Sequence, residues 1–294
     1  MRFQPGVKVC YILVYMIPSR TGSPPVYGDS HCHLLDSAFD GDREAAVERA
    51  RSAGLGLLVE TACRRADWEA ALLFAARHRD IMRVCLGIHP EDCAEYSPAA
   101  LAELADMLNN PLAVGLGEIG LDYAWDDVPR ERQLEVFAGM LGLASGCGRP
   151  IVLHCRGARN PGHPHDAYAD LFSCLRSGWK PPAGRRLTGI LHCFSGTAED
   201  AESAASLGLL LGVNGSITYP KNSALRETAA RHRARVVFET DCPYLPPQSC
   251  RGRRNEPSRI PEICAAFSSH CGIPPGELAA SAMANCAEVF SLLV

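Results

Sequence analysis

Apolar residues in this chain gather in short unbroken runs instead of alternating with polar ones. Such runs lie at 26–31, 55–61, 84–88, 112–118, 150–154, 188–193, 209–213 and 235–240. A strand that is apolar on both faces is covered on both faces, as in a parallel sheet flanked by helices. Between the runs the spacing turns helical, over 42–53, 67–79, 98–109, 129–146, 167–176, 197–207 and 223–233, with two more stretches at 257–271 and 275–293. Pro98, Pro129 and Pro257 stand where a first-turn proline is tolerated. Thr197 is placed to cap one helix and Gly208 to end it.

Eight strands alternating with helices predict an α/β fold, a single (β/α)8 TIM-type barrel. The rival is a doubly wound open sheet, which normally carries a glycine-rich phosphate loop after its first strand. No such loop follows residues 26–31, and Gly115-Leu-Gly117 does not continue to a third glycine at the right place. The chain has 294 residues, and one barrel of about 250 residues accounts for 26–294. Residues 1–25 read as an extension ahead of the domain, poorly ordered. Within it Val9–Ile17 loosely resembles a signal-peptide core, but a small-residue cleavage site is missing and the run is too short to span a membrane. The expected location is therefore cytoplasmic.

Composition narrows the classes further. Apolar residues make up 47% and charged residues 21%, as in a globular protein with a sizeable core. The net charge of −4 excludes a global basic field, so contact with nucleic acid has to be local. The 14 cysteines show no compact framework of the kind found in small secreted scaffolds. Cys32, Cys85, Cys155, Cys193 and Cys242 fall in strand-like runs or beside polar strand ends, and are read as reduced.

The chemistry lies at the ends of the apolar runs. His31 and His33 close the first, Glu118 the fourth, His154 the fifth, His192 the sixth and Asp241 the eighth. Side chains alternate across a strand, so His31 and His33 point the same way. In a barrel the C-terminal ends of the strands converge on one face, which holds the active site. Four imidazoles and two carboxylates converging there describe a metal site. They exceed what one tetrahedral ion needs, so two divalent ions (Mg, Mn or Zn) are expected, with Glu118 bridging them. Cysteine ligation competes, since Cys32, Cys155, Cys193 and Cys242 each adjoin a candidate ligand. Neighbouring strand positions face opposite sides, which turns these thiols into packing.

The ordered motifs resemble one family. They are Asp-Ser-His-Cys-His-Leu (29–34), Gly-Ile-His-Pro (87–90), Gly-Glu-Ile-Gly-Leu-Asp-Tyr (117–123), Pro-Ile-Val-Leu-His-Cys-Arg (150–156), Leu-His-Cys-Phe-Ser-Gly-Thr (191–197), Gly-Ser-Ile-Thr-Tyr-Pro-Lys (215–221), Glu-Thr-Asp-Cys-Pro-Tyr-Leu (239–245) and Arg-Asn-Glu-Pro (254–257). Over 26–294 the chain resembles the TatD-type metal-dependent deoxyribonucleases, among the amidohydrolase-like barrels. The resemblance implies the same six metal ligands. It also implies hydrolysis of DNA phosphodiesters from the 3′ end of single strands by a metal-activated water, in a monomer without an obligate protein partner. Asp241 and Glu118 then serve catalysis, with Asp241 as general base. Arg156, His89 and Arg254 are candidates for substrate contact. His89 could instead support the ligands, and Arg254 could brace its loop with Asn255 and Glu256. Lys221 and Tyr123 are weaker candidates.

One segment departs from the family pattern. After His-Cys-Arg, the loop Gly157–Asp166 intervenes at the mouth and adds His163 and His165, read as solvated. The same metal-bound water can attack a carbonyl carbon as well as phosphorus. An amide or ester hydrolase, including an aminoacyl-tRNA deacylase, is thus the alternative enzyme. A metal-stabilised binding protein without catalysis is the alternative of another class.

Overall fold

In the computed structural model, which describes residues 27–292 apart from 126 and 161, eight parallel strands are hydrogen-bonded in chain order. They are β1 (Tyr27–Cys32), β2 (Leu55–Ala62), β3 (Met82–Leu86), β4 (Ala113–Asp122), β5 (Ile151–Arg156), β6 (Gly189–Leu191), β7 (Leu209–Val213) and β8 (Val236–Phe238). The segment after β8 returns to β1. Asp241 N–H donates to the His31 carbonyl at 3.0 Å, and His33 N–H to the Cys242 carbonyl at 2.9 Å. The ladder therefore closes into the predicted barrel. The extension read at 1–25 lies outside the described residues.

Helices α1 (Arg43–Ser52), α2 (Trp68–Arg77), α3 (Pro98–Met107), α4 (Arg130–Cys147), α5 (Ala167–Gly178), α6 (Ala198–Ser206), α7 (Ser223–Arg231), α8 (Ile260–Cys271) and α9 (Pro275–Phe290) follow the strands. Their ends use ordinary chemistry. Ser97 caps α3 ahead of Pro98, and Thr197 with Asp200 forms a reciprocal capping box on α6. Gly208, with φ of +76°, lets the chain turn from α6 into β7.

Inward positions of the strands form one apolar layer that includes Val59, Cys85, Val152, Ile190 and Val237. Met283, Val289 and Phe290 of α9 pack into the same layer and plug the lower end of the barrel. Two residues further along β5, and just past the ends of β6 and β8, the inward positions become His154, His192 and Glu239. The period of two thus carries each strand from an oily floor to a polar ceiling. On β7 that position is Gly212. A Cβ there would lie 2.3 Å from the Glu239 carboxylate, so the glycine leaves the ceiling hollow.

Strand boundaries differ from the sequence reading in informative ways. β4 does not stop at Glu118 but runs on to Asp122. Its register with β5 shifts between Gly117 and Ile119, which lets Glu118 face inward in mid-strand. Gly120 then passes so near β5 that a Cβ would meet the His154 carbonyl. β3 begins at Met82, two residues early, because the charged Arg83 hides inside it. The Arg83 guanidinium is buried against the carbonyls of Arg79 and Met82. β6 and β8 are short, so His192 and Asp241 sit just beyond strand ends.

Candidate metal centre

The six residues named from the sequence meet in one pocket at the C-terminal end of the barrel. Nε2 of His31 and Nε2 of His33 are 3.1 Å apart. Glu118 Oε2 lies 3.4 Å from the first and 3.9 Å from the second. Asp241 Oδ1 lies 3.8 Å from His31 and 3.3 Å from His33. The other oxygen of Glu118, Oε1, faces different partners: His154 Nδ1 at 2.7 Å, His192 Nε2 at 3.3 Å and His89 Nε2 at 3.7 Å. One carboxylate is therefore shared by two groups of donor atoms, His31–His33–Glu118 and His89–Glu118–His154, each compact enough for a single ion.

The donor chemistry fits divalent cations. The Nδ1 of His33 is 2.9 Å from the Thr61 carbonyl, so in the neutral ring Nδ1 carries the proton and Nε2 is the donor atom that faces the pocket. Glu239 stands behind His192 at ion-pair distance, with Oε1 3.2 Å from its Nδ1. His192 stacks on His31 with ring centroids 3.6 Å apart. Glu239 also accepts the backbone N–H of Cys193 at 2.6 Å. Lone pairs and carboxylate oxygens pointed at one another in a buried pocket need positive charge between them.

Electrostatics agree with the geometry. Burial alone would raise Glu118 and Asp241, but the imidazoles around them, His192 foremost, hold both carboxyls below their ordinary range. Against the penalty of burial, Asp241 and Glu118 lift His33 to about 9. Burial also opposes protonation of His154, yet Asp122 and Glu118 lift it to about 9. Burial, with His154 alongside, pushes His89 down to about 4. The pocket is a negative field lined by imidazoles.

Several residues that position the site escaped the sequence reading. Asp122, almost fully buried, lies 2.9 Å from His154 Nε2. Asp29 accepts the backbone N–H groups of His31 and Thr240 and the Thr240 hydroxyl, tying β1 to the chain after β8. Glu60 accepts the N–H groups of Leu34 and Leu35 and fixes the turn beyond His33. Buried acids inside apolar runs were the available signal: Asp29, Glu60 and Glu239 each interrupt one.

His89 is closer to the centre than the sequence suggested, since its ring packs edge-on against His154 at 4.5 Å and joins the second donor group. Cys32, Cys155 and Cys242 turn away into packing. Cys193 does not. β6 ends at Leu191, alternation ends with it, and Cys193, at φ of +47°, groups with His192 and Asp241. Arg156 is half exposed at the mouth. Arg254 is occupied as a brace: its guanidinium donates to Asp42 and to the Ala38 carbonyl and covers the Phe39 ring. His163 and His165 stay outside the donor groups among the described residues, with His163 Nδ1 against the His165 carbonyl. A cavity of about 560 Å³ also opens beside the mouth, lined by Asp166, Tyr168, Ser195, Asp200, Glu227 and Arg231 among others, but it contains none of the predicted ligands.

A parallel barrel with histidines and acids gathered at the C-terminal ends of its strands defines a metal-dependent hydrolase. The particular family follows from comparison with known proteins: residues 28–291 match the model for TatD related DNase, and the chain belongs to that family. It is a hydrolase acting on ester bonds. The 3'-5' ssDNA/RNA exonuclease TatD of Erwinia tasmaniensis is 32% identical over 270 residues, covering 90% of this chain and 99% of that protein. The metal-dependent hydrolase YjjV of Escherichia coli is 31% identical over 267 residues, covering 90% of this chain and 97% of that protein. The crystal structure of YjjV superposes with a TM-score of 0.82, over 92% of this chain and all of that one. A TatD family hydrolase from Entamoeba histolytica shares the fold, with a TM-score of 0.76 at 24% identity, over 90% of this chain and 97% of that one. Among the described residues, no helix is long and apolar enough to cross a membrane.

Proposed function

We propose that this protein is a nuclease that removes nucleotides from the 3′ end of single-stranded DNA with the help of two divalent ions. The observation that carries the proposal is the division of Glu118 between two donor groups. His31, His33 and Asp241 would hold one ion with Glu118, and His154 the other, with His192 and His89 at hand beside Glu118. Magnesium or manganese suits the carboxylates, and zinc suits the imidazoles. Bound there, the ions supply a water acidified towards neutrality and offset the charge of the scissile phosphate.

The side chains do the rest. Asp241 is kept ionised by the imidazoles, with Oδ1 turned into the pocket, and would accept the proton of the attacking water. Glu239, Asp122 and the Thr61 carbonyl orient the rings of His192, His154 and His33, so the donors need no reorganisation. Arg156 stands at the mouth and can pair with a non-bridging phosphate oxygen.

The test is digestion of 3′- and 5′-labelled single-stranded DNA, RNA and duplex DNA by protein loaded with magnesium, manganese or zinc. Stepwise release of mononucleotides from the 3′ end is expected. Turnover of carboxylic or aminoacyl esters without cleavage of any nucleic acid would replace this reading by the alternative hydrolase. Asp241→Asn should keep the fold by circular dichroism and lose about 10²–10⁴-fold in kcat.

A further inference from the structure

Three large apolar side chains are exposed among the described residues, and one of them, Trp125, stands on the loop after β4 beside the candidate metal centre. Its ring is covered by Arg159, whose guanidinium carbon lies 3.4 Å from the ring centroid, and Arg156 approaches at 5.9 Å. The group reaches the centre through Asp122. Arg156 Nη1 is 4.0 Å from Asp122 Oδ2, and that oxygen is 2.9 Å from His154 Nε2. We propose that Trp125, Arg156 and Arg159 form a platform that stacks a base of a single-stranded nucleic acid and pairs with its backbone phosphate. This inference rests on the nuclease reading above.

Charge sets the group apart from several arginines nearby, which are spent on carboxylates: Arg254 on Asp42, Arg43 on Asp40 and Arg130 on Asp170. Among the described residues Arg159 has no carboxylate partner, and Arg156 has only the distant approach to Asp122. Two cations drawn onto one exposed ring repel each other, and an anion between them relieves the repulsion. A planar guanidinium on an indole presents a flat, positively charged surface to a base and a fork to a phosphate.

The backbone beneath the platform is pinned. Tyr123 donates its hydroxyl to Asp170 at 2.8 Å, and the Arg130 fork grips the same carboxylate. The His163 ring lies 5.9 Å from that of Tyr123, so the loop 157–166 leans on the loop that carries Trp125. This gives the added loop a role, since it brings Arg159 to the indole. Bases of a duplex keep their faces stacked on one another and cannot use such a surface, so the platform selects single strands.

The experiment compares a single-stranded oligothymidylate with an oligomer of the same length built of abasic linkers, which keeps the phosphates and lacks the bases. Base–aromatic stacking predicts that Trp125→Ala raises KM for oligothymidylate roughly 5- to 150-fold, through KM more than kcat. It should affect the abasic oligomer less, so the enzyme's preference for bases collapses. Trp125→Tyr should restore that preference. Arg159→Ala should weaken binding of both oligomers and reduce its salt dependence. Leu73→Ala, at an exposed apolar position on α2, is the control. Trp68 and Trp179 are buried, so quenching of tryptophan emission by oligothymidylate reports on Trp125 without turnover. Unchanged preference for bases in Trp125→Ala, with the unmutated enzyme active on DNA, overturns the platform alone. Quenching by oligothymidylate without cleavage supports the platform and overturns the nuclease reading. Neither quenching nor cleavage overturns both.

Discussion

Oε2 of Glu118 lies 3.4 Å from Nε2 of His31, while the second oxygen of the same carboxylate is engaged across the pocket, 2.7 Å from His154. A side chain that divides its oxygens in this way can serve two ions at once. Glu118→Gln keeps the shape but replaces one oxygen by an amide that donates. Elemental analysis of the variant should find the bound metal lost, with hydrolase activity lost alongside. Two tightly held ions in that variant would refute the shared assignment. On the unmutated protein, a chelator should lower Tm and added magnesium or manganese should restore it, because an ion that binds only the folded chain stabilises it by mass action.

Glu239 touches no predicted substrate position but backs the His192 ring from within the barrel. Glu239→Gln should weaken metal binding by about 10–100-fold, the usual range for a residue that orients a ligand. Titration of the metal into the variant reads this directly. An affinity equal to that of the parent would mean that His192 needs no such support.

Gly212 faces the Glu239 carboxylate with no room for a methyl group. Gly212→Ala should cost about 1–3 kcal/mol by overpacking and should loosen metal binding through the displaced carboxylate. Chemical denaturation and metal titration of the same variant check both effects. A loss of stability without any change in affinity would sever the link between the hollow ceiling and the site.

Acid should undo the seam outside β1 and β8. Hydrogen bonds from Arg254 and Arg49 hold the Asp42 carboxyl far below its ordinary range. Burial would raise Glu256, but Arg49 keeps it low. A depressed folded-state pKa contributes stability above the unfolded value, near 4, and loses it as the pH falls towards the folded value. The Tm of Asp42→Asn should therefore lie below that of the parent at neutral pH, and the gap should begin to narrow as the pH falls through about 4. A gap that stays constant down to pH 2 would show that the ion pairs contribute nothing there.

Much of this molecule is legible in the order of its residues. Unbroken apolar runs separated by amphipathic stretches specify parallel strands between helices, because only a doubly covered strand is apolar on both faces. His31, His33, His154, His192 and Asp241 stand out because a polar side chain at the end of such a run has to be turned towards something other than oil. Local pattern placed Glu118 at the end of its run, but it could not show that the strand runs on to Asp122, since the register shift between Gly117 and Ile119 depends on the neighbouring strand. Nor could it tell that Asp122 and Glu239 would orient imidazoles distant in sequence, or that Arg254 would be consumed by Asp42. Sequence alone determined the barrel and the set of polar strand ends. Closure of the barrel decided which of those groups share an oxygen, which stand behind a ring, and that Trp125 and Arg159 meet at the mouth, because those contacts are made between loops that the chain order keeps far apart.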